Sequence, residues 1–290
     1  MNLPSAILST LAYHDIFDYP LDSSEICGLL VKKKASRESI VKELERLRAI
    51  GKIGESGRYF FLKNRKKIAR IRKMRAKYSQ VKLKRAAFFA GLLKVIPSVK
   101  LIAVSGALSM KNSRKDDDID LVIVTSKSLL WTTRFLANLL LLPFKRDPSG
   151  QKIADRACLN MFLDESDLVI KDHNIYTAHE ICQMKLLWDR DNTYRRFIKA
   201  NSWIREYLPN WEADVERLTA NGKRKKSPKA LDLRRFALVI ENFLKNFQLW
   251  YMKNKLTTER ISSTQLFFHP KNTQEKVLAE YKKKINKLRI

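Results

Sequence analysis

The fold of this chain is decided by the stretch Val104-Ser105-Gly106-Ala107-Leu108-Ser109-Met110 and, after a gap of eleven residues from Gly106, by Asp118-Ile119-Asp120-Leu121-Val122-Ile123-Val124. Both the apolar run 100–104 and the run 118–124 predict buried strands. Because side chains alternate along a strand, the carboxylates of Asp118 and Asp120 are expected to project from one face, beside the loop at Gly106.

Two aligned carboxylates beside a glycine loop suit the binding of divalent cations and phosphate. Carboxylate oxygens are the hard ligands that Mg²⁺ prefers, and coordination positions remain open for triphosphate oxygens. Gly106 allows backbone amides to approach a phosphate closely. The further candidate nucleotide-binding residues are two hydroxyls and three cations: Ser105, Ser109, Lys111, Arg114 and Lys115.

This order of strand, glycine, spacer and acidic strand resembles the nucleotidyltransferase superfamily, which includes DNA polymerase beta and the minimal nucleotidyltransferases. The resemblance covers roughly residues 99–165. It implies a mixed sheet with flanking helices, an NTP as donor substrate, and two Mg²⁺ ions held by Asp118 and Asp120. In such enzymes one metal activates the acceptor hydroxyl, and the other holds the triphosphate and steadies the leaving pyrophosphate.

The chain departs from the superfamily pattern at two positions. The serine that follows the glycine is replaced by Ala107, and the later strand, 157–163, lacks the third carboxylate. Alternation in that strand places Asn160 on the same face as Cys158 and Phe162, so Asn160 is the expected third metal ligand, although it is neutral. Asp155 and Asp164 flank the strand and are the alternatives.

Two functions follow from this site. The first is Mg²⁺-dependent transfer of an NMP group from an NTP to a hydroxyl, with Asp118 and Asp120 as the catalytic residues. The alternative is a non-catalytic protein that binds nucleic acid or senses a nucleotide through a degenerate nucleotidyltransferase domain; Ala107 and Asn160 favour this alternative. The acceptor and the base of the NTP stay open.

The N-terminal residues 1–62 predict three helices followed by a β-hairpin, which resembles a winged helix. Asp22-Ser23-Ser24-Glu25 is a capping box before the second helix. A winged helix suggests DNA contact through its third helix. That helix alternates arginine and lysine with glutamate, however, and phosphates repel glutamate, so protein docking and an internal brace remain alternatives.

The segment 63–98 predicts a basic helical linker. Twelve cations lie between Lys63 and Arg85, and no acidic residue occurs between Glu55 and Asp116. Like charges on neighbouring turns repel one another, and a nucleic-acid backbone would relieve that cost through counterion release. The net charge of +28 also favours a polyanionic partner. The alternative is a solvated linker.

The whole chain is expected to be an α+β protein with four parts: 1–62, the linker 63–98, a nucleotidyltransferase core at 99–170 and a helical region at 171–290. Everything beyond about Ile175 is predicted to be helical, and an apolar stripe there is interpreted as core: Phe236, Ile240, Phe243, Phe247 and Trp250.

Cysteine and histidine usage argues against other classes of site. The three cysteines are far apart, which makes zinc binding and a secreted disulfide scaffold poor fits. None of the four histidines has a partner at ligand spacing, and His179 is expected to make a structural hydrogen bond. The apolar run 129–144 is too short to span a membrane. We therefore expect a cytoplasmic protein without membrane contact; the oligomeric state stays open.

Overall fold

The structure is a computed structural model that describes residues 1–147, 153–213, 233–253, 259–268 and 271–290. It is a mixed α/β protein in which two sheets and their helices follow one another along the chain. Within the described residues, no helix is long and apolar enough to cross a membrane.

The N-terminal unit has the predicted order of three helices and a hairpin. Its elements are α1 (Leu3–Asp15), α2 (Ser23–Gly28), α3 (Arg37–Ala49), β1 (Ile53–Ser56) and β2 (Tyr59–Leu62). The predicted capping box is confirmed: the Asp22 carboxylate accepts the Glu25 amide at 3.0 Å, and the Glu25 carboxylate accepts the Asp22 amide at 2.9 Å. Satisfying both amides fixes the start of α2.

The basic segment forms the 27-residue helix α4 (Lys67–Leu93), and three of its cations are buried: Arg72, Arg75 and Lys82. Their partners lie in other parts of the chain. Arg72 forms a salt bridge with Glu25 at 2.7 Å and lies between the rings of Tyr19 and Tyr59.

Two further cations of this segment pair with the N-terminal unit. Arg65 pairs with Asp15 at 2.6 Å, and Arg75 with Asp18 at 3.6 Å. The N-terminal carboxylates therefore supply charge compensation that the basic segment itself lacks, and α4 braces the N-terminal unit. The cations that remain exposed are Lys63, Lys66, Lys67, Arg70, Lys73, Lys77, Lys84 and Arg85.

The central sheet has six strands and is mixed, as expected. Its strands are β3 (Val99–Val104), β4 (Ile119–Thr125), β5 (Ala157–Asp164), β6 (Lys185–Asp189), β7 (Arg260–Ile261) and β8 (Gln265–Phe267), in the spatial order β6-β3-β4-β5-β8-β7. The β4–β5 pair is parallel and all other neighbours are antiparallel. A four-residue helix, α5 (Gly106–Ser109), follows β3.

Helices cover both faces of this sheet. On one face, Val122 and Val124 pack with α7 (Ile175–Gln183) and α8 (Thr193–Ala200); on the other, Ile123 and Phe162 pack with α4 and α6 (Leu130–Leu140). The helix α10 (Lys271–Leu288) contacts both α1 and α7. The strand β4 is therefore buried on both sides, which explains its continuous apolar run.

The prediction that everything beyond Ile175 is helical is wrong at β6, β7 and β8. The strand β6 pairs with β3, and β8 pairs with β5, so the central sheet uses residues beyond 170. These strands are two to five residues long, which is too short to show a period of their own. Their pairing partners, rather than local propensity, determine their conformation.

The interpretation of the late apolar stripe as core is wrong for Phe243, Phe247 and Trp250, and the side chain of Phe236 lies outside the described residues. In α9 (Leu233–Met252), Phe243 is 67% exposed and Trp250 is 72% exposed. Two polar residues of this helix, Glu241 and Gln248, are buried. Glu241 accepts the backbone amides of Trp131 and Thr132 at 2.7 and 2.8 Å, and so caps the first turn of α6.

Candidate active site

The carboxylates of Asp118 and Asp120 lie together at the start of β4, where the sequence places them. Their oxygens and the sulfur of Cys158 all lie within 4.8 Å of one another. Asp120 is the register partner of Cys158 in the parallel β4–β5 pair, which is why the thiol reaches this face. All three side chains are partly exposed, so a ligand can reach them.

Gly106 is the backbone position that makes room for Asp120. Its φ of +60° lies in the left-handed region, and a Cβ atom added there would lie 3.3 Å from Oδ2 of Asp120. The neighbouring Ser105 amide donates to the carbonyl oxygen of Asp120 at 3.2 Å. A glycine is required here both for the backbone conformation and for the close approach of the carboxylate.

The two candidate hydroxyls differ in their hydrogen bonding. The Ser109 hydroxyl donates to the carbonyl oxygen of Gly106 at 2.7 Å and so closes the turn of α5. The Ser105 hydroxyl is buried and has no hydrogen-bond partner among the described residues. Of the two, Ser105 is therefore the hydroxyl that can bond to a ligand without breaking a contact.

The three candidate cations lie exposed on the loop between α5 and β4. Lys111 is near enough to Lys185 of β6 that, after burial, its charge lowers the pKa of Lys185. The Arg114 amide donates to the Asp117 carboxylate at 2.7 Å. This loop thus presents positive charge around the candidate phosphate site, with Lys111 and Lys185 on one side.

The buried Lys82 fixes the loop between α5 and β4 from its inner side. It is 2% exposed, and its ammonium donates to the carbonyl oxygens of Lys115 and Asp117 at 3.1 and 2.6 Å and to the Asp155 carboxylate at 2.7 Å. An ammonium group has three protons, and all three are used here. The buried lysine fixes the loop that leads into Asp118.

Sequence reasoning missed two groups at the site, Arg146 and Cys158. Arg146 donates to the Asp118 carboxylate at 2.8 Å, and this hydrogen bond raises the pKa of Arg146. Burial, followed by the charges of Asp120 and Asp118, raises the pKa of the Cys158 thiol, which is therefore protonated. The register of β4 against β5 brings Cys158 next to Asp120. An isolated β-bridge between Lys145 and Ala157 brings Arg146 to the site. Neither arrangement produces a local pattern in the sequence.

The regular alternation of side chains predicted for the strand 157–163, which is β5, is wrong because this strand contains a β-bulge. Leu121 pairs with Leu159 but Val122 pairs with Met161, so Asn160 is the extra residue. Phe162 consequently shares a face with Leu159 rather than standing opposite it. Asn160 is 4% exposed, and its Oδ1 has no hydrogen-bond partner among the described residues. Its role as a metal ligand stays a prediction.

The two alternative carboxylates are engaged elsewhere. Asp155 pairs with Lys82, and Asp164 is 3% exposed. Asp164 accepts the Ser128 amide at 2.6 Å and the Ser166 amide at 2.8 Å, which holds the loop after β5. Both groups have structural partners that a metal ion would have to displace.

Among the described residues, no histidine belongs to the cluster formed by Asp118, Asp120 and Cys158. His179 is buried, and its Nδ1 lies 2.8 Å from the Ile175 carbonyl oxygen, which confirms the expected structural hydrogen bond. It stacks on Tyr13 at 3.8 Å and contacts His14 edge-on. His173 stacks on Trp203, and His269 lies outside the described residues.

A cavity of about 320 Å³ opens beside the site, between the central sheet and α7, α8 and α10. Ser105 and Asn160 line its end next to the carboxylate pair, and Tyr176 and Phe197 form part of its walls. Burial, followed by the charges of Glu180 and Asp120, raises the pKa of Tyr176. The charge of Asp120 therefore acts on a wall of this cavity.

No family model, curated protein or solved structure matches this chain. Its function is therefore inferred from the geometry of the described residues and from the sequence pattern.

Proposed function

We propose that this protein transfers an NMP group from an NTP to a hydroxyl acceptor in a Mg²⁺-dependent reaction, with a nucleotidyltransferase-type core. One observation carries the proposal: the carboxylates of Asp118 and Asp120 converge beside Gly106, whose φ is +60° and whose added Cβ would lie 3.3 Å from Oδ2 of Asp120. An acidic turn that only capped a strand would not need a glycine of positive φ packed against it.

The donor set supports Mg²⁺ through its two carboxylates. Asp118 and Asp120 would hold the ion, because hard oxygen ligands suit it and a protonated thiol does not. When bound, Mg²⁺ supplies positive charge for the triphosphate and activation of the acceptor hydroxyl. Cys158 is hydrogen-bonded to Asp120, and we assign to it the orientation of that carboxylate.

The basic groups around the carboxylates are assigned to phosphate. Arg146 forms a salt bridge with Asp118, and Lys111 lies in the loop after Gly106, near Lys185. In the proposed complex Arg146 turns its guanidinium from Asp118 to a phosphate oxygen, since a guanidinium binds phosphate with paired hydrogen bonds. Ser105 contributes a hydroxyl donor in place of the serine that Ala107 replaces.

Label transfer tests this function directly. The full chain is incubated with each α-³²P-labelled NTP, with Mg²⁺ or Mn²⁺, and with mixed hydroxyl acceptors. We expect transfer by the wild type and a loss of about a hundredfold or more in Asp118→Asn/Asp120→Asn, since a metal ion stabilises the transition state by several kcal/mol. The matched control is Asp116→Asn, an exposed carboxylate of the same loop. Equal transfer by all three proteins would show that Asp118 and Asp120 are not the catalytic residues.

A non-catalytic nucleotide sensor is the second candidate function. The ion pair between Arg146 and Asp118 favours it, because this pair neutralises a proposed metal ligand without any metal. The label-transfer assay, combined with a measurement of NTP binding, separates the two candidates. Binding of an NTP with no label transfer, in wild type and double variant alike, is the result expected of a sensor.

Nucleic acid is proposed as a partner through the exposed cations of α4. Lys66, at the N-cap of this helix, and Arg70, Lys73 and Lys77 recur at intervals of three and four residues, so they form one exposed stripe. Such a stripe suits a phosphate backbone. A DNA-reading role of α3 is weaker, since Arg46 and Arg48 are already paired with glutamates.

A further inference from the structure

The helix α9 buries polar residues and exposes apolar ones. Glu241 and Gln248 are buried, whereas Phe243 and Trp250, each two residues further along, are exposed. Two residues correspond to about 200° of rotation on an α-helix, so these two pairs of residues lie on opposite faces. A surface helix of a globular protein ordinarily has the reverse arrangement, with its apolar stripe towards the core.

Hydrogen bonds to α6 fix α9 in this orientation. The Glu241 carboxylate accepts the backbone amides of Trp131 and Thr132, and the Gln248 side-chain amide donates to the Trp131 carbonyl oxygen at 2.9 Å. Rotation of α9 about its axis would break these hydrogen bonds and leave buried polar groups without partners. The apolar face of α9 therefore points outwards because the inner contacts require it.

The outward face of α9 is uncharged. Its exposed apolar residues are Leu238, Val239, Phe243, Phe247 and Trp250. The other exposed residues between 238 and 250 are Asn242 and Asn246, and the one cation of this stretch, Lys245, is only partly exposed. In a chain of which 30% of the residues are charged, such a face has to be explained by what it contacts.

The area of the outward face is close to that of a protein interface. A large side chain presents roughly 150–250 Å² when fully exposed, so these five apolar residues, which are 44–72% exposed, present on the order of 600 Å². A standard interface buries about 800 Å² on each partner. The outward face of α9 thus supplies most of one side of a stable dimer interface.

The chemistry of this face selects a second copy of the chain as the occupant. An amide side chain both donates and accepts, so Asn242 and Asn246 can pair with the same residues of another copy. Ile240, Phe243, Phe247 and Trp250 recur at intervals of three, four and three residues, which is the spacing of helices that pair side by side. A helix that lies on a membrane surface has lysine and arginine where α9 has asparagine.

We propose that this protein forms a dimer in which the outward face of α9 packs against the same face of a second copy about a two-fold axis. The contact is apolar at its centre and has asparagine at its edge. Each copy carries a net charge of +28, which opposes association, and the proposed contact keeps the exposed cations of α4 and α10 outside the interface. The dimer does not depend on the proposed transferase function.

Sedimentation velocity of the full chain over a series of concentrations tests the dimer. We expect a monomer–dimer equilibrium that salt shifts towards the dimer, because salt screens the repulsion between the two positive molecules and leaves the apolar contact intact. A wild type that stays monomeric at every concentration in high salt would overturn the proposal. Association that weakens as salt is added would also overturn it, since charged groups would then form the contact.

Phe243→Ser/Trp250→Ser assigns the contact to α9. We expect this variant to associate about a hundredfold more weakly or worse, because buried aromatic residues dominate interface energies and each is lost from both copies. The matched control is Met74→Ser/Val81→Ser, at two apolar residues of α4 that are also exposed, and it should associate like the wild type. Circular dichroism checks that both variants fold. Unchanged association of the folded α9 variant contradicts the assignment.

Cysteine crosslinking tests the same contact without removing it. Asn246 lies near the middle of the outward face, so Asn246→Cys is expected to form a disulfide between two copies on mild oxidation, above the level that the three native cysteines give in the wild type. Lys84→Cys, at an exposed position of α4, is the control and should not exceed that level. Equal crosslinking of the two variants would overturn the proposal even if the serine variant does not fold.

Other occupants of the face give other results. The wild type is also centrifuged with vesicles of phosphatidylserine and phosphatidylcholine. A monomer that sediments with these vesicles would identify a membrane surface as the occupant. A monomer that does not would mean that another part of the chain or a different protein covers α9, and either result removes the dimer.

Discussion

Gly106 shows how one residue couples backbone conformation to the site. A side chain at this position meets two costs, the positive φ and the contact of 3.3 Å with the Asp120 carboxylate. The second cost acts on the group that we assign to metal binding. The sequence pattern predicted a glycine loop here, but the carboxylate contact depends on the pairing of β3 with β4 and is visible only in the structure.

Gly106→Ala is expected to destabilise the protein by about 1–2 kcal/mol and to abolish NMP transfer, since a residue with a Cβ is strained at this φ and must push Asp120 away. The measurement is urea unfolding combined with the transfer assay. Gly91→Ala is the matched control: Gly91 lies inside α4 with no atom near its Cβ position, so alanine there stabilises by about 0.5–1 kcal/mol. Effects of the same sign at both positions would contradict this explanation.

Lys82 is a second residue whose role depends on burial. Lys82→Met leaves the Asp155 carboxylate and two loop carbonyls without their donor, and we expect a loss of about 1–3 kcal/mol in the free energy of unfolding. The exposed Lys84→Met serves as control and is expected to change stability by less than about 0.5 kcal/mol. Similar losses in the two variants, measured by chemical denaturation, would show that the buried contacts are not what holds the loop.

The helix α4 illustrates how far an element can be predicted. Its helical character and charge are plain in the sequence, whereas the burial of Arg72 and Arg75 is not, because their carboxylate partners lie 47 and 57 residues earlier in the chain. The short strands β6, β7 and β8 escape prediction for the same reason, since their partners determine them. The central strands β3 and β4 were predictable because their apolar runs are continuous.

Reversing the charge of the exposed cations of α4 is expected to change the salt dependence of nucleic-acid binding. Lys66, Arg70, Lys73 and Lys77 changed to Glu should flatten the slope of log K against log [salt] for nonspecific DNA or RNA, by about 0.9 for each duplex phosphate that the variant no longer neutralises. The control reverses four exposed charges on or just after α10: Lys282, Lys283, Lys287 and Arg289. An unchanged slope in the α4 variant, or an equal change in the control, would mean that α4 contributes no specific contact surface.

At the scale of the whole molecule, a buried aromatic cluster lies between α1 and α7. His14 and His179 meet there with Tyr13, and the Nδ1 atom of each histidine lies 2.8–2.9 Å from a helix carbonyl oxygen. Burial lowers the pKa of His14 to about 4 and lowers that of His179. This cluster joins the N-terminal unit to the helices that cover the sheet.

The cluster makes stability depend on pH. Both imidazoles are neutral in the folded protein, so their contribution is complete above pH 6.5 and decreases as the pH falls from 6.5 towards 4, where only the unfolded chain takes up the proton. For His14 the loss is on the order of 3 kcal/mol. Urea unfolding at several pH values measures it. His14→Gln should reduce the dependence, and His173→Gln, at an exposed histidine, should not. Stability that is constant between pH 6.5 and 4.5 would contradict the prediction.

The carboxylate pair and the cavity differ in how far they can be predicted. Asp118 and Asp120 lie at the start of β4 with cations around them, and the cavity that Ser105 and Asn160 line lies next to them. The pair could be predicted from spacing alone. The cavity could not, because α7, α8, α10 and the sheet contribute to it from distant parts of the chain.

Metal-dependent nucleotide binding tests the role of the pair most directly. The melting temperature of the full chain is measured with Mn²⁺ or Mg²⁺, with a non-hydrolysable NTP, and with both together. We expect the combination to raise the melting temperature of the wild type and of Asp116→Asn, because a ligand that binds only the folded state stabilises it. In Asp118→Asn/Asp120→Asn the rise should disappear. An identical rise in the double variant would show that these carboxylates hold no metal.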